Sequence, residues 1–246
     1  MIKILVIGET CLDKFIYSEV TKVCPEAPVP VLNPIKIIQN NGMSGNVVEN
    51  LKSLYPDLEI VHWSQPETIT KTRYVEVKSN YMFIRVDEGE DNILPINIEY
   101  RDVEFVRNFD IVIVSDYNKG FLTDEDIIFF GKNSSLSILD SKRELNSEII
   151  ESFDFVKLNE FEMKKNKMFS NYKNIIVTMG SKGAVYENTS YPTLNPKETI
   201  DVSGAGDTFT ASFILKYYET KDIPNSIVFA NKMSSIVVSK RGVTTP

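Results

Sequence analysis

The chain has 246 residues, a formal net charge of −7, 42% hydrophobic and 25% charged residues. That length buries a substantial core, the acidic balance opposes a nucleic-acid reader, whose footprint would be a basic patch, and no apolar run approaches the length that spans a bilayer. Cys11 and Cys24 offer no disulfide framework, and with the single histidine, His62, no zinc cluster of soft ligands can be assembled.

The opening Met1-Ile2-Lys3-Ile4-Leu5-Val6-Ile7-Gly8-Glu9 is too short and too soon interrupted for a signal peptide. It reads as a buried first strand, and the expected location is the cytoplasm. A polar, β-rich stretch runs to about Gln39, where Pro25, Pro28, Pro30 and Pro34 forbid helix. Val29 to Leu32 and Ile35 to Ile38 alternate like edge strands. Asp13 follows the first strand, where open α/β sheets place ligands; a turn-capping Asp is the alternative. Asn40 to Asn46 then leads into a short amphipathic helix stopped near Pro56, and Asn46 either caps it or reaches a sugar hydroxyl. His62, beside Trp63, reads as a surface or core residue rather than a catalyst.

Strand Leu58 to Val61 comes next. Thr68 to Val77 and Tyr81 to Asp87 alternate like two antiparallel strands around Lys78-Ser79-Asn80. With the edge strands before Gln39 they make one small sheet, a lid from about residues 12–39 and 68–88. Lys71, Arg73 and Arg85 give it positive charge suited to an anionic substrate, although such charges also merely solvate an edge.

From about Ile96 the pattern becomes α/β: a helix to Arg107, strand Ile111 to Val114, a helix from Thr123 to Lys132 with an acidic capping turn, and strands Leu136 to Leu139, Phe153 to Leu158 and Asn174 to Thr178. The strands end at Asp116, at Asp140 and Lys142, and at Asn159 and Glu162, which places a ligand crevice along the carboxyl edge of a parallel sheet. Met179 to Gly183 is a glycine turn, open to a nucleotide or simply a hairpin. Ile227 to Val238 forms a last apolar helix.

Between these elements lies Asp201-Val202-Ser203-Gly204-Ala205-Gly206-Asp207-Thr208-Phe209. Phe209, Phe213, Ile214 and Tyr217 recur at helical spacing, so two glycines precede a carboxylate in a first helical turn. The unpaired amides and the dipole of such a terminus hold a phosphoryl group in transfer. Asp207 would orient the accepting hydroxyl and take its proton, while the amides of Gly204, Ala205 and Gly206 stabilise developing charge. A helix-capping Asp is the alternative.

This set of motifs resembles the ribokinase-like (PfkB-type) carbohydrate kinases over nearly the whole chain. Asp201 to Phe209 matches their D-x-[TS]-G-A-G-D-x-F pattern, Asn159 and Glu162 their N-x-x-E, and Thr178, Gly180 and Gly183 their T-x-G-x-x-G. The resemblance implies a single kinase domain over 1–246, a doubly wound, mainly parallel sheet with helices on both faces, and a β-sheet lid. It implies ATP and Mg²⁺, with Asn159 and Glu162 helping to hold metal and phosphates, a monovalent cation as in some members, Asn231 closing the adenine pocket, and a homodimer through the lid. Asp13, Gly42, Asn46, Lys71, Arg73 and Arg85 would face the substrate.

Pro25 to Pro30, Thr68 to Arg73, Ile84 to Asp87 and Ser115 to Gly120 bring the likeness nearest to the kinases of D-glycero-β-D-manno-heptose 7-phosphate. These phosphorylate the anomeric hydroxyl. Other members, acting on a hexose, fructose phosphate or nucleoside, are the alternative, as is a catalytically silent sugar- or nucleotide-binding relative. The chain departs from the family at Asn41-Gly42, where a double glycine is usual, and at Ser44 to Val48, where an Ala-rich helix is usual. It also looks shorter by about one β-α unit before Thr68, ends without the usual terminal helix, and carries no nucleotidyltransferase domain, as some relatives do.

Overall fold

The computed structural model describes residues 1–96, 102–194 and 199–246. It opens with β1 (Lys3–Ile7), in which Ile4, Leu5, Val6 and Ile7 are fully buried. Consecutive buried residues require cover on both faces, as in a central strand of a parallel sheet. Next come β2 (Thr10–Val23), β3 (Pro30–Met43), α1 (Ser44–Leu54), β4 (Glu59–Trp63), β5 (Thr70–Glu76), β6 (Met82–Glu88) and α2 (Val103–Arg107). Strands and helices then alternate through β7 (Ile111–Asp116), α3 (Asp124–Asn133), β8 (Ser137–Ser141), α4 (Ser147–Glu151), β9 (Phe155–Asn159), α5 (Glu160–Lys165) and β10 (Ile175–Thr178). A hairpin of β11 (Ala184–Tyr186) and β12 (Thr189–Tyr191) precedes α6 (Ala205–Thr220) and α7 (Ile223–Val238).

Eight strands form one sheet in the order β12-β11-β10-β9-β8-β7-β1-β4, parallel except for β11 and β12. Alternation along each strand decides which helices it meets. Ile4, Val6, Ile111, Ile113 and Ile138 pack with Val47, Leu51, Phe213 and Ile227 of α1, α6 and α7. Leu5, Ile7, Val112, Val114 and Leu139 pack with Ile127, Phe130, Ile149 and Ile150 of α3 and α4. This is the doubly wound, ribokinase-like arrangement expected from the sequence. The carboxyl ends of β1, β7, β8, β9 and β10 lie along one edge, and there the acidic, amide and lysine side chains collect.

A second sheet has the order β3-β2-β5-β6. The two short edge strands expected before Gln39 are one strand, β3, paired along its length with β2. Pro34 is tolerated because β3 is a sheet edge, and it falls beside a register shift after Tyr17. Polar residues hide β2 from a pattern reading, since only part of its length is buried.

Two helices also depart from expectation. α7 starts at Ile223 rather than Ile227, because Asp222 caps it through the Asn225 N–H and Pro224 suits a first turn. Of the helix expected over 96–107, Val103–Arg107 is observed, capped by Asp102, and residues 97–101 lie outside the described residues. β4, which directly follows α1, ends the large sheet with β1 as its neighbour. Among the described residues no helix is long and apolar enough to cross a membrane.

Candidate active site

The approach to α6 is folded tightly. The Asp201 carboxylate accepts the N–H groups of Ser203 (2.9 Å) and Gly242 (3.1 Å), tying the loop to the segment after α7. Gly204 has φ +79°, a left-handed conformation, and a Cβ there would stand 2.6 Å from Asn46 Nδ2. Thr208 N–H donates to the Gly204 carbonyl at 3.0 Å, so Gly206 and Asp207 belong to the unpaired first turn. The Ala205 N–H is differently placed and donates to the Val202 carbonyl at 3.3 Å.

Asp207 is buried, and its two oxygens have different partners. Asn46 Nδ2 of α1 donates to Oδ2 at 2.8 Å, and the Tyr117 hydroxyl donates to Oδ1 at 2.9 Å. Burial first, and then the charge of Asp140, push the carboxyl up to about 6, against the two hydrogen bonds and Lys157. A carboxylate in that range is a far better base near neutral pH than an ordinary aspartate.

Around it lies a charge network in which the strand-end residues Asp140, Lys142 and Glu162, expected from the sequence, are joined by Lys157, which the sequence did not single out. Lys157 Nζ sits 2.8 Å from Asp140 and against Gly206, where a Cβ would approach it to 3.0 Å. Lys142 bonds Glu162 Oε1 at 2.6 Å and lies 3.5 Å from Asp140. Burial alone would raise the Asp140 carboxyl, but Lys157 and Lys142 hold it at about 2. Burial opposes the charge on Lys142 too, yet Asp140 and Glu162 raise its ammonium above the usual range.

Asn159 and Glu162 form a reciprocal capping box on α5, and Asn159 lines the cavity beside Asp207: Asn159 Oδ1 accepts the Glu162 N–H at 2.8 Å, and Glu162 Oε2 accepts the Asn159 N–H at 2.7 Å. Glu162 Oε1 already accepts from Lys142 Nζ at 2.6 Å and from Asn159 Nδ2 at 2.7 Å, whereas Oε2 accepts one donor and keeps a lone pair. Hard oxygen donors of this kind suit a nucleotide-borne Mg²⁺, which keeps several waters and needs one or two carboxylates, so the donor set fits that ion.

A cavity of about 490 Å³ is lined by Tyr117, Lys142, Lys157, Asn159, Gly206 and Asp207, among others. A more apolar one of about 160 Å³ adjoins it through Thr178, Gly180 and Gly206 and ends at Phe209, Val238 and Asn231. Asn231 Nδ2 donates to the Tyr191 carbonyl at 2.8 Å. The two glycines of the β10–β11 turn differ. A Cβ on Gly183 would meet the Tyr191 carbonyl at 2.1 Å, which makes this glycine a packing requirement, whereas Gly180, at φ +58°, has nothing within 4 Å and borders both cavities.

The inner face of the lid brings Asp13, Gly42, Lys71 and Arg73 together. Arg73 is ion-paired with Asp13, and a Cβ on Gly42 would sit 2.1 Å from Asp13 Oδ2. Lys71 pairs with Glu90 at 3.2 Å and lies 5.9 Å from the Tyr117 ring centre. Lys119, from the loop after β7, pairs with the same Glu90. Arg85 lies opposite Arg73 in the sheet, but it is half-exposed and bonds Asp87 at 2.8 and 2.9 Å. Of the six expected substrate residues it is the most exposed. His62 Nε2 lies 2.8 Å from Ser44 Oγ and burial lowers its proton affinity, so its surroundings are structural.

A family model described as "pfkB family carbohydrate kinase" matches residues 57–246. The chain belongs to that family. As a pfkB carbohydrate kinase it is a phosphotransferase with an alcohol group as acceptor. Similar proteins include the bifunctional protein HldE of Helicobacter pylori (strain J99), 30% identical over 298 positions covering 98% of this chain and 64% of the relative. HldE of Campylobacter curvus is 29% identical over 299 positions, covering 99% of this chain and 63% of the relative. The chain thus spans under two thirds of these relatives, and alignments longer than its own 246 residues mean that they carry segments it lacks. Among solved structures, ribokinase from Thermotoga maritima superimposes with TM-score 0.71 at 19% identity, covering 99% of this chain and 95% of that one. Arabidopsis thaliana ribokinase complexed with ribose and ATP gives 0.72 at 17%, covering 98% and 94%.

Proposed function

We propose that this pfkB kinase is a single domain that transfers the γ-phosphoryl group of ATP to a hydroxyl of a phosphorylated sugar, the anomeric hydroxyl of D-glycero-β-D-manno-heptose 7-phosphate being the first choice. The observation that carries the reading is the placement of a buried, proton-avid Asp207 between a cavity lined with lysines and the cationic inner face of the lid. Asp207 orients the hydroxyl and accepts its proton. The amides of Gly206 and Asp207, and of Gly204 and Ala205 once the loop engages an anion, stabilise charge on the transferred group. Lys142 and Lys157 face the same cavity and hold phosphate oxygens. Thr178, Gly180 and Asn231 border the adenine end, with Gly183 shaping its turn.

Asn159 and Glu162 hold the water shell of Mg²⁺, which when bound neutralises phosphate charge. A monovalent cation is an accessory by resemblance alone. On the sugar side, Asp13 and Asn46 bind hydroxyls, Gly42 admits them, and Lys71, Arg73 and the more exposed Arg85 bind the existing phosphate. The heptose choice rests on the motifs in 25–30, 68–73, 84–87 and 115–120. Apolar residues on the exposed strands of the lid, including Ile37, Ile84 and Val86, support a homodimer in which each lid covers its neighbour. A soluble sugar phosphate and ATP as substrates fit a cytoplasmic enzyme.

Coupled ADP release with ATP and Mg²⁺ tests the reading. Turnover is expected with heptose 7-phosphate and not with fructose 6-phosphate, ribose or a nucleoside. Turnover confined to an unphosphorylated sugar or a nucleoside overturns it.

A further inference from the structure

Glu9 directly follows Gly8 at the end of β1, is fully buried, and reaches no cation within salt-bridge distance among the described residues. Its carboxylate is instead wrapped by a loop: Oε2 accepts the N–H of Tyr117 at 2.8 Å, and Oε1 accepts those of Lys119 at 2.9 Å and Phe121 at 3.3 Å. The same loop is held from its start by Asp116, which accepts the Asn118 N–H at 3.1 Å and is gripped by Arg143 through two bonds of 2.6 and 3.0 Å. Two buried carboxylates therefore fix the backbone that carries Tyr117. The product of this scaffolding is one hydroxyl aimed at Asp207 Oδ1 at 2.9 Å, with the lysine ammoniums of Lys71 and Lys142 beside the ring at 5.9 and 5.4 Å.

We propose that Tyr117, held by Glu9, is a positioning residue that orients the Asp207 carboxylate and keeps it ionised for its task. The inference rests on the reading of Asp207 as the base. A donor on Oδ1 and Asn46 on Oδ2 fix the plane of the carboxylate, while each oxygen keeps a second lone pair for the substrate hydroxyl. A hydrogen bond to the charged form also favours that form. The donor survives any working pH, because burial first and then Asp207 push the phenol well above its ordinary range. The other ionisable groups facing Asp207 are Asp140 on β8, Lys142 after it, Lys157 on β9 and Cys11 on β2. The hydrogen bonds from Asn46 and Tyr117, and then Lys157, work against burial and Asp140, and among the ionisable groups of the described residues Tyr117 is the one that bonds the carboxylate.

The test is the titration of Asp207 by carbon-13 carboxyl resonance in the full chain, assigned by its loss in Asp207→Asn, for the unmutated protein, Tyr117→Phe and Glu9→Gln. Losing a hydrogen bond to the charged carboxylate, Tyr117→Phe should move the midpoint up by about one to two pH units with melting temperature kept. Glu9→Gln should move it the same way, and the double variant no further. In parallel, the turnover of Tyr117→Phe on ATP and heptose 7-phosphate should fall most below pH 7 and recover toward pH 8.5, which a purely structural defect would not do. An unmoved midpoint in folded Tyr117→Phe overturns the proposal, and should Glu9→Gln not fold, Tyr117→Phe decides alone. Turnover by Asp207→Asn would instead overturn the base assignment, leaving the titration shift intact.

Discussion

Lys157 spans from β9 to Asp140 on β8, its ammonium 2.8 Å from the carboxylate and both side chains only 2% exposed, with the backbone of Gly206 directly beside it. A buried pair of this kind is costly to break, because the survivor keeps its charge without a full partner. Lys157→Met leaves Asp140 with Lys142 at 3.5 Å and Thr210 at 3.1 Å. The expected loss is about 3 kcal/mol, read as a lower melting temperature. Because the Asp140 carboxyl is held at about 2, below its ordinary value of 3.8, that stabilisation is present above the ordinary value and fades as pH falls through 2. A variant as stable as the parent at pH 7 would show that the pair contributes nothing net.

Asp207 has the opposite sign. Its folded value, about 6, lies above its ordinary value of 3.8, so the native state holds the proton more tightly and pays a stability penalty that is full above pH 6 and vanishes as pH falls toward 3.8. Asp207→Asn should remove phosphoryl transfer by a factor of about 10² or more while leaving ATP binding nearly intact. The same variant should melt higher at pH 8, by about 1–3 kcal/mol of stability, and gain little at pH 4. Equal melting shifts at both pH values would contradict the raised acidity range.

Two glycine variants separate packing from ligand approach. Gly204→Ala forces a side chain into a left-handed conformation and against Asn46, so it should lose about 1–2 kcal/mol and disturb the Asn46 bond to Asp207. Gly180→Ala meets nothing within 4 Å, and its methyl would project beside both cavities. Its stability should fall by about 1–2 kcal/mol, from the left-handed backbone alone, while the KM for ATP rises. An unchanged KM would remove Gly180 from the nucleotide site.

The lid cations are unequal. Lys71 is largely buried against Glu90 and Tyr117, whereas Arg85 is half-exposed on Asp87. Lys71→Met should raise the KM for a sugar phosphate about tenfold or more, with little effect on the KM for ATP. Arg85→Ala should raise it less, unless a neighbouring lid closes over it. A larger effect at Arg85 would move the phosphate site outward along β6.

The lid is also where assembly is testable. Ile37 and Ile84 are 55% and 53% exposed. Ile84→Glu should shift sedimentation from dimer to monomer at low micromolar concentration, and an unmutated protein that sediments as a monomer would remove the paired-lid reading.

Much of this molecule could be read from its residues in a line. The run Ile4 to Ile7 declares a strand covered on both faces, Thr123 and Asp126 write their own capping box, and two glycines before Asp207 mark a helix terminus, because each signal is set by neighbours within a few positions. β2 and the length of β3 were hidden, since their pairing partner rather than their own pattern holds them extended. The first turn of α7 was hidden for a different reason: Pro224 reads as a breaker until its position in the turn is known.

What the chain by itself determined is therefore the fold class, the family motifs and the residues at the carboxyl edge of the sheet. Only the tertiary structure decided how they meet. Asn46 lies 161 positions from Asp207, Tyr117 lies 90 away and Glu9 lies 108 from the amide it holds, so no local pattern could pair them. The acidity of Asp207 likewise depends on burial and on charges carried by other strands, which exist only once the sheet has brought those strand ends side by side.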